Sequence, residues 1–220
     1  MREKPLIGIV ARPNISENKK MILGVYENYI KKIIMNGGIS YIILNPINLE
    51  YEIEFKKKLK DSDKKDLEKI LKLCDGILMP GGSDGYDYDY FITEYAIENN
   101  IPLLGICLGM QLISEYLGGH LEKVCNHYLT NHEVTLKENS KIKQIYQTDT
   151  IFTNSRHHFQ VIGLDSKYIS AFSKDGVIEA IEVDNNDFCI GVEWHPEDLE
   201  SDKLFQEFIE RCKMYMFLKN

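Results

Sequence analysis

The stretch PLLGICLGMQLISEYLGG, residues 102–119, joins an apolar run to a helical pattern through a single cysteine. The run IPLLGI predicts a buried strand, and LGMQLISEYLGG predicts a helix. Cys107 stands between Gly105 and Gly109, which permit a tight turn from strand to helix. Such a turn is typical of a nucleophile raised above a sheet, but a buried structural thiol fits the same residues. The rest of the sequence has to distinguish these alternatives.

Strand and helix patterns alternate on the N-terminal side of this stretch. Strand candidates lie at 6–10, 40–46 and 75–82, with helix candidates between them. The first helix candidate is expected to place these residues on its inner face: Tyr26, Ile30, Ile33 and Ile34. This order predicts a parallel sheet covered by helices on both faces. After residue 119 strand candidates dominate until a closing helix, so we expect one α/β domain over residues 1–220 with a β-rich second half.

Composition limits the class of protein. The 220 residues are 44% hydrophobic and 27% charged, and the formal net charge of −8 argues against nucleic acid as a partner. Five cysteines without a CxxC pair are expected to be free thiols in a reducing compartment. The N-terminal apolar run is too short for a signal sequence or a membrane span. We therefore expect a soluble cytoplasmic protein whose other cysteines are packing residues: Cys74, Cys125, Cys189 and Cys212.

The segment CIGVEWHPE supplies the partners that a cysteine nucleophile needs. A predicted strand delivers His195, and Pro196 favours an extended backbone, so His195 and Glu197 can project to the same side. A carboxylate placed there fixes the imidazole tautomer and stabilises the imidazolium. The alternative is that His195 is an incidental histidine on a surface turn. The presence of both the glycine-flanked Cys107 turn and the His-Pro-Glu segment makes this alternative less favoured.

A glycine turn follows the third predicted strand in MPGGSD, residues 79–84. Ligands bind beyond the carboxyl ends of parallel strands, so this turn and the turn at Cys107 are expected at the same edge. Backbone N–H groups of the turn, together with that of Leu108, can then form an oxyanion hole.

The motifs P-G-G, G-x-C-x-G-x-Q and W-H-P-E, in this order, resemble the class I glutamine amidotransferase family over essentially the whole chain. The resemblance implies a flavodoxin-like open sheet and a Cys-His-Glu triad that hydrolyses a γ-glutamyl amide through a thioester, without a cofactor. It implies that Cys107 is the nucleophile, that His195 is the general base and then acid, and that Glu197 orients His195. It further implies that Gly82 and Leu108 supply oxyanion N–H groups and that Gln111 contacts the glutamyl group.

The segment TNSRHHFQV, residues 153–161, is similar to the stand-alone γ-glutamyl hydrolase branch, peptidase family C26. That similarity implies a substrate-binding group near the glutamyl pocket: Gly81, Asn154, Ser155, His157 and His158. For Arg156, contact with an α-carboxylate and simple solvent exposure both remain open. The branch usually has arginine where Leu108 stands, and the loop after P-G-G is short, so the leaving amine can differ from GABA.

Three functions therefore remain. The first is an independent hydrolase of a small γ-glutamyl-amine, similar to γ-glutamyl-GABA, and the second is a glutaminase subunit that passes ammonia to a partner synthetase. The third, a non-catalytic relative, is disfavoured by the intact triad. No metal is expected, because the aspartates near residue 87 lack a calcium-loop glutamate and the remaining histidines lack zinc-type spacing with cysteines. His120, His127 and His132 are interpreted as structural or surface residues, and the oligomeric state, a homo-oligomer included, stays open.

Overall fold

A nine-stranded mixed sheet forms the centre of the computed structural model, which describes residues 3–15, 17–45, 59–200 and 202–219. The strands are β1 Leu6–Val10, β2 Arg12–Ile15, β3 Met21–Gly24, β4 Ile39–Ile43, β5 Gly76–Met79, β6 Leu103–Ile106, β7 His120–Lys123, β8 Tyr128–Leu136, β9 Thr150–Arg156, β10 Phe159–Ile162, β11 Ile169–Ser173, β12 Ile178–Glu182 and β13 Cys189–Val192. The helices are α1 Glu27–Met35, α2 Asp61–Leu71, α3 Asp87–Glu98, α4 Leu108–Tyr116, α5 Lys141–Tyr146 and α6 Lys203–Lys219.

The sheet has the strand order β4-β1-β5-β6-β13-β12-β11-β8-β9. The pairings from β4 to β13 are parallel, and those from β13 to β9 are antiparallel. The predicted α/β fold and its β-rich second half are confirmed, but the sheet is parallel only in its first half. Two small antiparallel sheets, β2–β3 and β7–β10, were not predicted. The predicted strand 40–46 corresponds to β4, and residue 46 lies outside the described residues.

Two apolar cores lie on opposite faces of the sheet, because successive strand residues point to opposite faces. In β5, Ile77 and Met79 belong to the core that includes residues of α2, α3 and α4. Leu78 between them belongs to the core that includes residues of α1 and α6. No helix among the residues described is long and apolar enough to cross a lipid bilayer.

The predicted inner face of α1 is wrong at two positions. Tyr26 is the N-cap, with an extended backbone outside the helix, and its side chain is 74% exposed. Ile34 is 58% exposed, whereas Tyr29 and Ile33, four residues apart, are buried. The apolar stripe thus runs through Tyr29, which the sequence pattern did not single out.

All five cysteines are free thiols. Cys74, Cys189 and Cys212 are buried in the two cores, as predicted, and Cys107 is buried as well. Cys125 is exposed, so its interpretation as a packing residue is wrong. It lies on the bend between β7 and β8.

Helix α4 lies against the sheet with almost no space between the backbones. A Cβ atom added at Gly109 would lie 2.2 Å from the carbonyl oxygen of Met79 in β5. One added at Gly105 would lie 2.6 Å from the carbonyl carbon and oxygen of Gly109. On the other side, a Cβ atom at Gly191 of β13 would lie 2.9 Å from Met110 Cα. Glycine is therefore required at these positions by close backbone contact.

We expect Gly109→Ala to lower the free energy of unfolding by about 3 kcal/mol, because the added methyl group must push α4 away from β5. Urea denaturation followed by circular dichroism measures this change. Gly24→Ala is the matched control, since a Cβ atom there meets no atom within 4 Å, and its effect should stay within about 0.5 kcal/mol. Equal effects of the two substitutions would contradict the packing explanation.

Candidate active site

Cys107 occupies the turn between β6 and α4, as predicted. Its backbone has φ 51° and ψ −106°, a conformation that is strained for a residue with a side chain. The turn is fixed by two hydrogen bonds: Cys107 N–H donates to the carbonyl oxygen of Val192 at 2.7 Å, and Gln111 N–H donates to the Cys107 carbonyl at 3.0 Å. Strain that is held by such contacts is characteristic of a nucleophile elbow.

His195 and Glu197 form a close pair. His195 Nδ1 lies 2.6 Å from Glu197 Oε1, and Glu197 is buried. The predicted contact is therefore present, but its predicted cause is wrong. β13 ends at Val192, and Pro196–Asp198 forms one turn of 3-10 helix that returns the carboxylate to the ring. The pair depends on this tight turn and not on the alternation of a strand.

The glycine turn after β5 lies beside both Cys107 and His195. A Cβ atom added at Gly81 would lie 3.0 Å from His195 Cε1 and 3.6 Å from Cys107 Cβ. Both side chains are therefore neighbours of Gly81. A Cβ atom added at Gly82 would lie 2.9 Å from Leu108 Cδ2, so the turn also packs on the start of α4. The two residues predicted to supply oxyanion N–H groups are therefore neighbours.

Tyr29 of α1 is a site residue that the sequence analysis missed. The N–H of Gly81 donates to Tyr29 Oη at 3.1 Å. Burial raises the pKa of Tyr29, and the nearby Glu197 carboxylate raises it further. The phenol therefore stays neutral and fixes the orientation of the glycine turn. Its spacing of four residues from Ile33 was the signal that could have placed it inside.

Arg12 is a second missed residue, and it follows β1 at the same sheet edge. Its Nη1 lies 2.7 Å from Asp89 Oδ2, and Asp89 is fully buried. Its aliphatic part lies 3.4 Å from a Cβ atom added at Gly82. A cation therefore stands beside the glycine turn. The rule that sites lie beyond the carboxyl ends of parallel strands could have identified it.

Asn154 of β9 binds the backbone of His195. Its Nδ2 donates to the His195 carbonyl at 3.0 Å, and the His195 N–H donates to Asn154 Oδ1 at 2.8 Å. Arg156, two residues further along β9, forms an ion pair with Asp198 in the 3-10 turn. The Asp198 carboxylate also accepts a hydrogen bond from Asn28. In this structure Asn154 supports the backbone of His195, and Arg156 holds the turn that follows it.

The other residues predicted to bind substrate lie in different surroundings. Gln111 is buried, and its Nε2 lies 3.3 and 3.2 Å from the two carboxylate oxygens of Glu193. Ser155 is also buried and donates to the His127 carbonyl at 2.6 Å. His157 is buried, whereas His158 is exposed and stacks on Tyr128. The structure does not bring these four side chains to one exposed surface.

Burial and negative charge control the protonation of Cys107 and of the groups buried near it. Burial raises the pKa of Glu193 to about 8, despite the opposing charge of His157. Burial lowers the pKa of His157, but Glu179 and Glu193 outweigh this and raise it to about 9. Burial also raises the pKa of the Cys107 thiol well above its usual range, and Glu193 adds to the effect. The resting thiol is therefore protonated, and it needs a base to react.

Comparison with known proteins agrees with this geometry. A γ-glutamyl-γ-aminobutyrate hydrolase of Escherichia coli is 28% identical over 96% of this chain and 95% of its own length. A CTP synthase of Mycoplasmopsis pulmonis is 27% identical over 93% of this chain but 46% of its own length, so the chain spans about half of that relative. The glutaminase domain of Trypanosoma brucei CTPS, solved with bound acivicin, has the same fold, with a TM-score of 0.73 at 18% identity over 96% of this chain and 94% of that one.

The family model for Peptidase C26 matches residues 86–197. The matched segment covers half of the sequence and includes the elbow at Cys107 together with the His195–Glu197 turn. The chain therefore belongs to the Peptidase C26 family.

Proposed function

We propose that this protein is a cysteine hydrolase that cleaves the amide bond of a small γ-glutamyl-amine and releases glutamate and the amine. The observation that carries the proposal is the strained Cys107 elbow, which shares the neighbour Gly81 with His195, whose Nδ1 lies 2.6 Å from Glu197 Oε1. Membership of Peptidase C26 and similarity to a γ-glutamyl-γ-aminobutyrate hydrolase support it.

In the first step, His195 takes the thiol proton as Cys107 Sγ attacks the γ-carbonyl carbon. This transfer is necessary because burial raises the pKa of the Cys107 thiol. Backbone N–H groups of Gly82 and Leu108 stabilise the oxyanion of the tetrahedral intermediate. The intermediate collapses to a glutamyl thioester as the C–N bond breaks, and His195 returns the proton to the departing amine.

In the second step, His195 takes a proton from water, and the resulting hydroxide equivalent attacks the thioester. Collapse of this second intermediate breaks the C–S bond, releases glutamate and returns the proton to the Cys107 sulfur. Glu197 holds the imidazole tautomer and stabilises the imidazolium in both steps. The chain's own residues thus balance every proton without a cofactor in this cycle.

The residues of the proposed substrate group have different surroundings. Gly81 lies against both reacting side chains and is placed to contact the γ-carbonyl region. Gln111, Ser155 and His157 are buried behind the nucleophile and shape the site through protein contacts. We infer that Asn154 is a positioning residue, because its amide binds both backbone groups of His195.

A glutaminase that passes ammonia to a synthetase is the second candidate. It is favoured by Leu108, which replaces the arginine expected for the hydrolase branch, and by the similarity to CTP synthases. In both candidates the chemistry at Cys107 is the same, and only the leaving amine and the partner differ.

The leaving amine separates the two candidates. Purified protein is incubated with glutamine and a panel of γ-glutamyl amides, including γ-glutamyl-GABA, and glutamate release is followed. We expect kcat/KM for at least one substituted amide to exceed that for glutamine by about tenfold or more, because a stand-alone hydrolase binds the amine. Turnover of glutamine alone, dependent on an added synthetase, would establish the second candidate instead.

Removal of the nucleophile tests the chemistry itself. We expect Cys107→Ala to reduce glutamate release by about 10⁴-fold or more, since no covalent intermediate can form. Cys125→Ala is the matched control because Cys125 is an exposed thiol on a turn, and its rate should match the native protein. Substantial hydrolysis by Cys107→Ala would reject the assignment.

The role of Asn154 is tested by separating kcat from KM. We expect Asn154→Ala to lower kcat by about 100-fold, because His195 loses both backbone supports, with KM changed by less than about threefold. Asn28→Ala removes a hydrogen bond to the same 3-10 turn without touching the His195 backbone, so kcat should remain near the native value. A raised KM with unchanged kcat would show that Asn154 binds substrate instead.

A further inference from the structure

A cluster of three histidines and one glutamate lies in the antiparallel half of the protein. Its members are His127, His132, His157 and Glu179. One side-chain nitrogen or oxygen from each of them lies within 4.8 Å of all the others. His127 precedes β8, His132 belongs to β8, His157 follows β9, and Glu179 belongs to β12. The cluster therefore connects three strands of the sheet.

The distances within this His-Glu cluster match those of a tetrahedral ligand set. Glu179 Oε1 lies 3.2 Å from His127 Nδ1, 3.4 Å from His132 Nε2 and 3.7 Å from His157 Nε2. His127 Nδ1 lies 3.2 Å from His157 Nε2. A zinc–ligand distance of about 2.0–2.1 Å places neighbouring tetrahedral ligand atoms about 3.3 Å apart. Three of these four separations lie within about 0.1 Å of this value, and the fourth, from Glu179 Oε1 to His157 Nε2, is 3.7 Å.

The cluster leaves buried polar atoms without hydrogen bonds. Glu179 is fully buried, and neither of its carboxylate oxygens has a hydrogen-bond partner among the described residues. His132 Nε2 has none among them either. A buried carboxylate without a hydrogen bond is costly, and here its Oε1 lies at ion-pair distance from one nitrogen of each of the three imidazoles. A cation between these four atoms would satisfy all of them.

The outer nitrogen of each imidazole is already held by an oxygen atom. His127 Nε2 lies 3.1 Å from Asp175 Oδ2, and His157 Nδ1 lies 2.8 Å from the Phe159 carbonyl oxygen. His132 Nδ1 lies 3.4 Å from the Glu133 carbonyl oxygen. Metal-binding histidines almost always make such a contact, which places the proton on the outer nitrogen and leaves the inner nitrogen free to bind a metal.

A bulge in β8 explains why two histidines five residues apart share a face. In a regular strand such residues point to opposite faces. The pairing of β8 with β9 shifts between Tyr128 and Thr130, and Leu129 has φ 52°. The extra residue reverses the alternation, so His127 and His132 both point to Glu179.

We propose that this cluster binds one divalent, zinc-like transition-metal ion through three imidazole nitrogens and one carboxylate oxygen. Imidazole-rich tetrahedral sets of this kind suit zinc better than the oxygen-preferring calcium or magnesium. No metal was expected, because the aspartates near residue 87 lack a calcium-loop glutamate and the histidines lack zinc-type spacing with cysteines. The glutamate ligand lies 22 residues after His157, and only the fold brings it to the histidines.

The site has four protein ligands, which is typical of a structural zinc site rather than a catalytic one. It fixes the ends of β8 and β9 against β12, on the side where His157 lies 3.9 Å from Glu193 Oε2. The positive charge of the bound ion would offset the negative charge of the buried Glu179 carboxylate. The partly exposed His132, with a side chain 20% exposed, gives the ion a route from solvent. The proposal is independent of the proposed hydrolase activity.

Zinc binding is measured on the full-length, untagged Cys107→Ala protein, so that Cys107 and His195 cannot bind the metal together. After incubation with zinc and desalting, we expect about one zinc per chain by elemental analysis. Zinc should raise the melting temperature by about 5 °C at a free concentration of 100 times Kd, and a chelator should reverse this. Cobalt should give the intense visible bands of a tetrahedral complex.

His132→Gln and Glu179→Gln, in the same background, remove one ligand each while keeping similar shape. We expect either to weaken zinc binding by more than about 100-fold in competition with a chromogenic chelator. His120→Gln is the matched control, since His120 is exposed outside the cluster, and its zinc affinity should be unchanged. A parent protein that binds no zinc, or a His132→Gln protein that binds zinc as tightly as the control, would overturn the proposal.

Discussion

The contact between α4 and the sheet sets the position of everything else in the active site. Because Gly109 allows the helix backbone to touch the Met79 carbonyl, α4 begins directly above β5 and β6. The chain must then reverse within a single residue, and Cys107 takes the strained conformation that this reversal requires. Any side chain at Gly105 or Gly109 would separate the layers. Cys107 is thus positioned by close backbone packing rather than by interactions of its own side chain.

The groups around the nucleophile are positioned by polar side chains from distant parts of the chain. Tyr29 of α1 binds the glycine turn, and Asn154 of β9 binds the backbone of His195. Both contacts act on main-chain atoms, so they restrict the position of a whole turn and not just one rotamer. In this way the first helix and the antiparallel half of the sheet both contribute to a site whose reacting groups lie on the parallel half.

Sequence patterns predicted the parallel half of the fold, the turn at Cys107 and the contact between His195 and Glu197. Short apolar strands, the glycines beside Cys107 and the proximity of His195 to Glu197 are local signals, and each was interpreted from neighbouring residues. The contacts that the sequence did not reveal are long-range. Tyr29 meets Gly81 across 52 positions, and Asn154 meets His195 across 41. Such pairs depend on the order of strands in the sheet, which periodicity does not specify.

The antiparallel half was harder to predict for a second physical reason. A bulge shifts the alternation of a strand by one residue, so a regular pattern assigns each following side chain to the wrong face. In β8 this shift moves His132 to the same side as His127. The histidines were therefore interpreted singly as structural or surface residues, although the fold brings them together with His157 and Glu179.

The uneven burial of the thiols makes this protein convenient for spectroscopic labelling. Among the cysteines other than the nucleophile, only Cys125 is exposed, whereas Cys74, Cys189 and Cys212 are enclosed by the apolar cores. In a variant without Cys107, a maleimide dye therefore attaches at one defined position without further mutagenesis. That position is two residues from His127, so the fluorophore reports on the region next to the β8 bulge in solution.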